Sequence, residues 1–259
     1  MMRYVFAILI SMTMAVPTIA EVKTKLVEYQ DGDVTLEGFL AWDASQKNKS
    51  APAVLVIHQW LGVTEYEKQR CEQLAEMGYV AFAVDIYGKG VRPNRPQDAG
   101  KQAAIYKRDR ELYRRRLNLG LDQLRAQEGV AKKKIAAIGY CFGGTGALEL
   151  ARSGADIAGV VSFHGGLDSP TPADGKNIKS KILICHGADD PLVPAAEIDA
   201  MKTELNKADV DWQMIYYSGA VHSFTQKMAG NDNSKGAAYN ENADKRSWAA
   251  MKAFFNEIF

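Results

Sequence analysis

Short apolar runs recur along this chain, and segments with helical periodicity separate most of them. The runs are "PAVLVIH", "YVAFAVDIYG", "KIAAIGY", "IAGVVSFHGG" and "KILICHG". A stretch that is apolar at nearly every position is typical of a strand covered on both faces. Strands of this kind that alternate with helices predict a mostly parallel central sheet with helices on both faces. The predicted fold class is therefore α/β, with any ligand site at the carboxyl ends of the strands.

The segments around these runs complete the predicted order of elements. Residues 22–42 hold two alternating stretches separated by "QDGD", whose Asp-Gly pair predicts a hairpin turn. "EYEKQRCEQLAEMG" has helical periodicity and ends at Gly78, a residue suited to ending a helix. A long charged helical region follows at about 97–128. Its "YRRRL" segment is interpreted as a solvated helix face, with substrate binding as the alternative.

The N-terminal segment "MMRYVFAILISMTMAVPTIA" has the pattern of a secretory signal. One cation, Arg3, precedes an apolar run that is short for a membrane span, and Pro17 and small residues follow it. Thr18 stands three residues before the end of the expected signal, at Ala20. An uncleaved anchor and a buried first strand are the alternatives. The pattern predicts a signal peptide at 1–20 and a secreted or periplasmic protein that is free of the membrane after cleavage.

Composition narrows the class of protein further. A chain of 259 residues with 47% hydrophobic content can bury one large core, so we expect a single domain over 21–259. Its 32 basic and 31 acidic residues nearly cancel and give no case for a nucleic-acid partner. The spacing of Cys71, Cys141 and Cys185 matches no metal-binding pattern. An odd number of cysteines in an exported protein leaves at least one free thiol. We expect Cys71 and Cys185 to pack as small hydrophobic residues.

The segment "GYCFG", between a predicted strand and a predicted helix, places Cys141 in the G-x-[Ser/Cys]-x-G pattern. A nucleophile on such a tight turn stands clear of the sheet, and flanking glycines let the strand and the helix approach closely. The helix N-terminus favours the thiolate, and the N–H of Phe142 can donate to an oxyanion. The alternative is a buried cysteine that only packs at this corner.

A catalytic cysteine needs a base and a group that orients the base. His58, His164 and His186 follow predicted strands, but only His222 also follows an acidic loop, in the order nucleophile, acid, histidine. The acidic loop, "HGADDPLVP", offers Asp189 and Asp190. His164 and His186 are interpreted as hydrogen-bonded residues of the core or of the pocket rim. The order of these residues therefore favours catalysis at Cys141.

These motifs resemble those of the dienelactone hydrolases of the α/β-hydrolase superfamily. The resemblance rests on "IHQWLG", "GYVAFAVDIYG", "GYCFGG", "HGADDPLVP", "GAVHSF" and "AAYN…RSWAAMKAFF", and it covers most of the mature chain. It implies an α/β-hydrolase fold, with Cys141 as nucleophile, His222 as general base and Asp190 rather than Asp189 as the orienting acid. It also implies that the backbone N–H of Trp60 joins that of Phe142 as an oxyanion donor.

Two positions depart from the family pattern. Gln59 stands where these enzymes generally carry a glutamate that helps gate the thiol, and a glutamine cannot take up a proton. Gln226 stands where well-studied members carry an arginine that binds a substrate carboxylate. Lys227 and two arginines in "GVRPNRP" are the alternatives for that charge. Gln59, His164 and Gln226 are the predicted substrate-pocket residues.

The expected function is hydrolysis of a small ester, lactone or thioester through a thioester acyl-enzyme, without a metal or an organic cofactor. We expect a monomer or a small homo-oligomer. The alternative is a non-catalytic or thiol redox-sensing protein on the same fold. Peptide-bond cleavage is disfavoured because related peptidases carry an extra domain, for which this chain has no room.

Overall fold

A single sheet of eight strands organises the protein, whose computed structural model describes residues 20–46 and 50–259. Its strands are β1 (Val22–Asp31), β2 (Val34–Asp43), β3 (Ala51–Ile57), β4 (Val80–Val84), β5 (Val130–Tyr140), β6 (Gly159–Phe163), β7 (Lys181–Gly187) and β8 (Trp212–Tyr217). They lie in the order β1-β2-β4-β3-β5-β6-β7-β8. The predicted signal peptide at 1–20 falls, except for its last residue, outside the described residues.

The sheet is antiparallel at one edge and parallel elsewhere. β1 and β2 form the predicted hairpin, and β2 pairs antiparallel with β4. All other strand pairs are parallel. The chain leaves β3 towards β4 on one side and later returns to β5 on the other side. In such sheets this reversal opens a crevice at the carboxyl ends of the strands, so β3 and β5 flank the expected place for a site.

The described residues form six α-helices that cover both faces of this sheet, which confirms the predicted α/β class. They are α1 (Glu65–Glu76), α2 (Pro96–Arg108), α3 (Arg110–Arg125), α4 (Phe142–Arg152), α5 (Ala195–Lys207) and α6 (Glu241–Ile258). One apolar core joins the sheet to α2, α3, α4 and α5, and a second core joins the other face to α1 and α6. The strands between the two cores are covered on both faces, so their sequences are unbroken apolar runs. All five residues of β4, for example, are buried.

Local signals fix the ends of α1. Thr64 and Glu67 form a capping box at its start. The Thr64 side chain accepts from a backbone N–H of the first turn, and the Glu67 side chain accepts from the backbone N–H of Thr64. Gly78 follows the end of the helix with a φ of 90°, a conformation that favours glycine. The helix end predicted at this glycine is therefore confirmed.

The helical region expected at about 97–128 is confirmed, but the structure divides it into two helices. The break is at Asp109, whose side chain accepts a hydrogen bond from the N–H of Leu112 and caps α3. Asp109 ends α2 and begins α3, so the chain turns without a connecting loop. As a result α2 lies over the carboxyl edge of the sheet, while α3 packs on its face.

The solvated face predicted for "YRRRL" is wrong in part. Arg115 is exposed, but Arg116 is buried and donates to the carbonyl oxygens of Ile86 and Tyr87. Both arginines bind the carboxylate of Asp31 at the end of β1. A buried guanidinium needs such partners, and here they tie the hairpin to the loop after β4.

All three cysteines are free, and Cys71 and Cys185 are buried as expected. Within the described part of the chain, no helix is long and apolar enough to cross a bilayer. The same residues contain no group of three or more His, Cys, Asp or Glu side chains that could hold a metal ion.

Candidate active site

Cys141 lies on a strained turn between β5 and α4. Its backbone has φ 55° and ψ −116°, which is a costly conformation for a residue with a side chain. The glycines around it make the turn possible. A Cβ on Gly139 would lie 1.8 Å from the carbonyl oxygen of Gly143, and a Cβ on Gly143 would lie 2.2 Å from that of Ile57. Only glycine fits at either position, so the sequence pattern corresponds to a true nucleophile elbow.

A continuous hydrogen-bonded chain runs from this cysteine to a carboxylate. His222 Nε2 lies 3.1 Å from Cys141 Sγ, and His222 Nδ1 lies 2.9 Å from Asp190 Oδ2. The other carboxylate oxygen of Asp190 accepts from the N–H of Leu192 at 2.9 Å, which fixes its orientation. Asp189 is exposed. The geometry therefore brings together the three residues predicted from the sequence, with Asp190 as the acid.

The electrostatics of this chain favour an ion pair. Burial alone would raise the pKa of Cys141, but the charge and hydrogen bond of His222 outweigh it and hold the pKa below its ordinary value. Burial alone would lower the pKa of His222, but the Cys141 thiolate and the Asp190 hydrogen bond raise it. A thiolate beside an imidazolium is the form that both shifts favour, and it is the reactive form of a cysteine.

Both predicted oxyanion donors lie beside the nucleophile. Phe142 is the first residue of α4, so its N–H has no acceptor within the helix and faces outward from the positive end of the helix dipole. Trp60 follows β3, and its carbonyl oxygen accepts from the hydroxyl of Tyr87 at 3.0 Å. Trp60, Cys141 and Phe142 line one cavity, so both candidate donor residues lie around the nucleophile.

This cavity has a volume of about 350 Å³ and opens on Cys141 and His222. One face of α2 forms much of its wall, with residues at helical spacing: Gly100, Ala103, Ala104, Lys107 and Arg108. Thr145, Gly166, Leu192 and Val193 also line it. This wall was not predicted from the sequence, although small residues recur there on one face of a charged helix.

The three predicted pocket residues are not among the described residues that line this cavity, so that prediction needs correction. Gln59 is buried, and its N–H donates to Glu67 Oε1. His164 lies under the elbow, where its Nδ1 accepts from the N–H of Cys141 at 3.2 Å and its Nε2 bonds to Thr225 Oγ1 at 2.8 Å. Gln226 is also buried. His164 therefore supports the elbow from below, and Gln59 and Gln226 are buried outside the described cavity lining.

The cations proposed to replace the missing arginine lie elsewhere. Arg92 donates to the carbonyl oxygens of Val63, Gly88 and Val91 and so braces a loop. Arg95 pairs with Asp98 at the surface. Lys107 and Arg108 on α2 are instead the cations that line the cavity.

His186 is buried and packs edge-on against Tyr216, with ring centroids 5.6 Å apart. Its Nδ1 has no hydrogen-bond partner among the described residues, so the hydrogen-bonded role expected for it is found only at His164.

A larger cavity, of about 790 Å³, lies at the opposite edge of the sheet, beside Trp42 and Tyr79. The described residues that line it include no cysteine and no histidine. The smaller cavity, which contains the elbow, is therefore the candidate active site.

The sheet order, the elbow and the ordered Cys, Asp and His residues define an α/β-hydrolase. The model of the dienelactone hydrolase family matches residues 36–259, and the chain belongs to this family.

Solved structures and a curated relative agree with this assignment. The structure of the protein m3DLH is 39% identical, with a TM-score of 0.88, and the match covers 92% of this chain and 99% of that one. A dienelactone hydrolase-like promiscuous phosphotriesterase from metagenomic libraries is also 39% identical, with a TM-score of 0.86 and the same coverage. A protein of Aquifex aeolicus named as a candidate carboxymethylenebutenolidase is 29% identical over 204 residues, which cover 77% of this chain and 86% of the relative.

Proposed function

We propose that this protein hydrolyses small carboxylic esters or lactones, and also accepts thioesters, with Cys141 as the nucleophile. The observation that carries the proposal is the hydrogen-bonded chain from Cys141 through His222 to Asp190, which opens on a cavity flanked by two candidate oxyanion donors. Membership of the dienelactone hydrolase family supports the class of reaction. The name of the Aquifex aeolicus relative points to a lactone substrate for that protein.

Acylation begins from the ion pair. The Cys141 thiolate attacks the carbonyl carbon of the substrate, and the carbonyl oxygen takes up the negative charge. The N–H groups of Trp60 and Phe142 donate to this oxyanion, a type of contact that stabilises the transition state more than the ground state. The carbon–oxygen bond to the leaving group then breaks, and His222 Nε2–H protonates the leaving alkoxide. The product is a thioester on Cys141 and a free alcohol, or a ring-opened chain in the case of a lactone.

Deacylation uses the same groups in reverse. His222, now neutral, takes a proton from water, and the hydroxide attacks the thioester carbon. The oxyanion forms again at the same donors and collapses with loss of the Cys141 thiolate. His222 keeps the proton, so the acid product leaves and the ion pair is restored. Asp190 holds the imidazole in one orientation and stabilises its charged form throughout.

The wall of the cavity indicates the substrate class. Trp60, Ala103, Phe142 and Leu192 offer apolar contacts, and the volume of about 350 Å³ suits a small molecule. The described lining contains no carboxylate, but it contains Lys107 and Arg108. A neutral or anionic ester or lactone fits this wall better than a cationic one.

Activation of the thiol falls to His222 and the start of α4. Gln59 has no carboxyl group to exchange a proton, and it lies outside the described cavity lining. The hydrogen bond of 3.1 Å between His222 and Cys141 supplies a direct partner for the thiolate instead.

Turnover of p-nitrophenyl acetate by the wild type, Cys141→Ala and Cys141→Ser tests the proposal. We expect release of p-nitrophenol by the wild type and only background release by the alanine variant. Equal rates in both would favour the rival function, a thiol sensor without catalysis. A panel of small esters, lactones, thioesters and one phosphotriester would then rank substrates, the last because a relative is named as a promiscuous phosphotriesterase.

Export with removal of residues 1–20 is proposed on the sequence pattern alone. N-terminal sequencing of the protein recovered from its native host tests it. A mature chain that starts near Glu21 is expected, and an intact N-terminus on a cytoplasmic protein would contradict it.

A further inference from the structure

His58 is fully buried directly after β3, and the steps above give it no role. It lies at the start of the loop that carries Trp60. Its ring packs edge-on against Tyr87 at 4.6 Å and stacks on Phe142 at 5.8 Å, both measured between ring centroids. His58 therefore contacts Phe142, one candidate donor residue, and lies two positions before Trp60, the other.

The hydrogen bonds of His58 define its tautomer. The backbone N–H of Ile86 donates to His58 Nε2 at 3.2 Å, and an amide N–H can only donate, so Nε2 carries no proton. Nδ1 of the neutral ring then carries the proton and donates to the carbonyl oxygen of Gln59, 2.5 Å away. Burial lowers the pKa of His58 to about 4, which keeps the ring neutral near neutral pH.

This donation fixes the orientation of one peptide group. A planar trans peptide points its N–H opposite to its C=O, so holding the Gln59 carbonyl turns the N–H of Trp60 away from His58. The N–H of Gly62 donates to the same carbonyl oxygen at 3.2 Å, and Tyr87 holds the carbonyl of Trp60. Within the described part of the chain the N–H of Trp60 makes no hydrogen bond, so it is free to donate to a ligand.

We propose that His58 is a positioning residue for the oxyanion hole: its neutral, Nδ1-protonated ring clamps the Gln59–Trp60 peptide and aims the Trp60 N–H at the oxyanion. The inference rests on the proposed function and deepens it, because it assigns a hydrogen-bonding role to a side chain that never contacts the substrate.

Two variants separate the two hydrogen bonds of the ring. In His58→Asn the amide nitrogen takes the place of Nδ1 and can still donate to Gln59. In His58→Gln the amide oxygen takes the place of Nε2 and can accept from Ile86 but not donate to Gln59. For p-nitrophenyl acetate we expect kcat to fall about 10- to 100-fold in His58→Gln, with KM little changed, since loss of an oxyanion donor costs about 100- to 1000-fold. His58→Asn should retain kcat within about threefold of the wild type.

Alkylation of Cys141 by iodoacetamide distinguishes a positioning role from a folding defect. Alkylation requires the thiolate but no oxyanion hole, so its rate should be unchanged in both variants if they fold. Equal loss of kcat in both, or a parallel loss of alkylation, would show a role in folding and overturn the proposal. Normal kcat in His58→Gln would also overturn it.

A further measurement covers the case in which His58→Gln does not fold. Nitrogen-15 NMR of the wild-type ring should show a protonated Nδ1, and a protonated Nε2 would overturn the proposal. Turnover that survives Cys141→Ala is a different result, which rejects the proposed function and the role of His58 with it.

Discussion

Replacing His222 by alanine is expected to remove most of the reactivity of Cys141 at mildly acidic pH. In the wild type Cys141 Sγ lies 3.1 Å from His222 Nε2, and the shifted pKa values of both groups favour a thiolate beside an imidazolium. At an effective dielectric constant of about 20, two unit charges at this separation attract each other by roughly 5 kcal/mol. The variant loses this attraction but keeps the burial that opposes the thiolate.

The size of the effect follows from the thiolate fraction. Without a partner, a thiol with the ordinary pKa of about 8.5 is about 0.3% ionised at pH 6, and burial reduces this further. The lowered pKa of Cys141 gives the wild type more thiolate than this at pH 6. Each tenfold gain in thiolate is offset by a factor of roughly three in nucleophilicity, which leaves a net gain of roughly threefold. We therefore expect alkylation at pH 6 to slow by at least about threefold in His222→Ala.

The assay is the rate of iodoacetamide alkylation of Cys141 between pH 5 and 10, a span of about five units around the ordinary thiol pKa. The sign follows from the lowered pKa of Cys141: the wild-type rate should remain high well below the ordinary thiol pKa, and the variant rate should rise only as pH passes that value. His186→Ala, a buried histidine outside the hydrogen-bonded chain, is the matched control and should keep the wild-type profile. Identical profiles for His222→Ala and the wild type would show that His222 does not stabilise the thiolate.

Three further outcomes are expected. Asp190→Asn should lower kcat about 100-fold or more, because the imidazole loses the partner that fixes its tautomer, whereas Asp189→Asn should leave kcat unchanged; equal effects would contradict the assignment of the acid. Lys107→Ala should raise KM about two- to fivefold for esters that carry a carboxylate and leave neutral esters unaffected; a similar change for both substrates in steady-state kinetics would argue against charge recognition. Gly143→Ala should lower the melting temperature markedly or prevent folding, because the new Cβ would lie 2.2 Å from a backbone oxygen, whereas Gly100→Ala, with nothing within 4 Å, should be neutral or slightly stabilising. A thermally normal Gly143→Ala would show that the elbow is less tightly packed than described.

Much of the fold could be predicted from the sequence because strands that are buried on both faces have unbroken apolar sequences. The elbow was equally visible, since Gly139 and Gly143 are required by contacts that no other residue permits. The order of Cys141, Asp190 and His222 along the chain then identified the residues that the structure brings together.

The misses at Arg116 and in the cavity wall depend on partners distant in sequence, whereas the break at Asp109 is local. The segment "YRRRL" contains no signal that Arg116 is buried against Asp31, which lies 85 residues away in the sequence. The break at Asp109 does not interrupt a helical pattern in the sequence, because the residue both ends α2 and caps α3. The cavity wall depends on how α2 lies over the sheet, so Lys107 could not be assigned to the site, while His164 was placed in a pocket that it supports from below.

We expect Cys141 to carry the acyl group during turnover. Rapid acid quenching of the enzyme during p-nitrophenyl acetate hydrolysis, followed by intact-mass measurement and peptide mapping, detects such an intermediate. One acetyl group per chain is expected on the peptide that contains Cys141, with greater accumulation when deacylation is slowed. Steady turnover with no acyl group on that peptide, or with the acyl group on another residue, would contradict it.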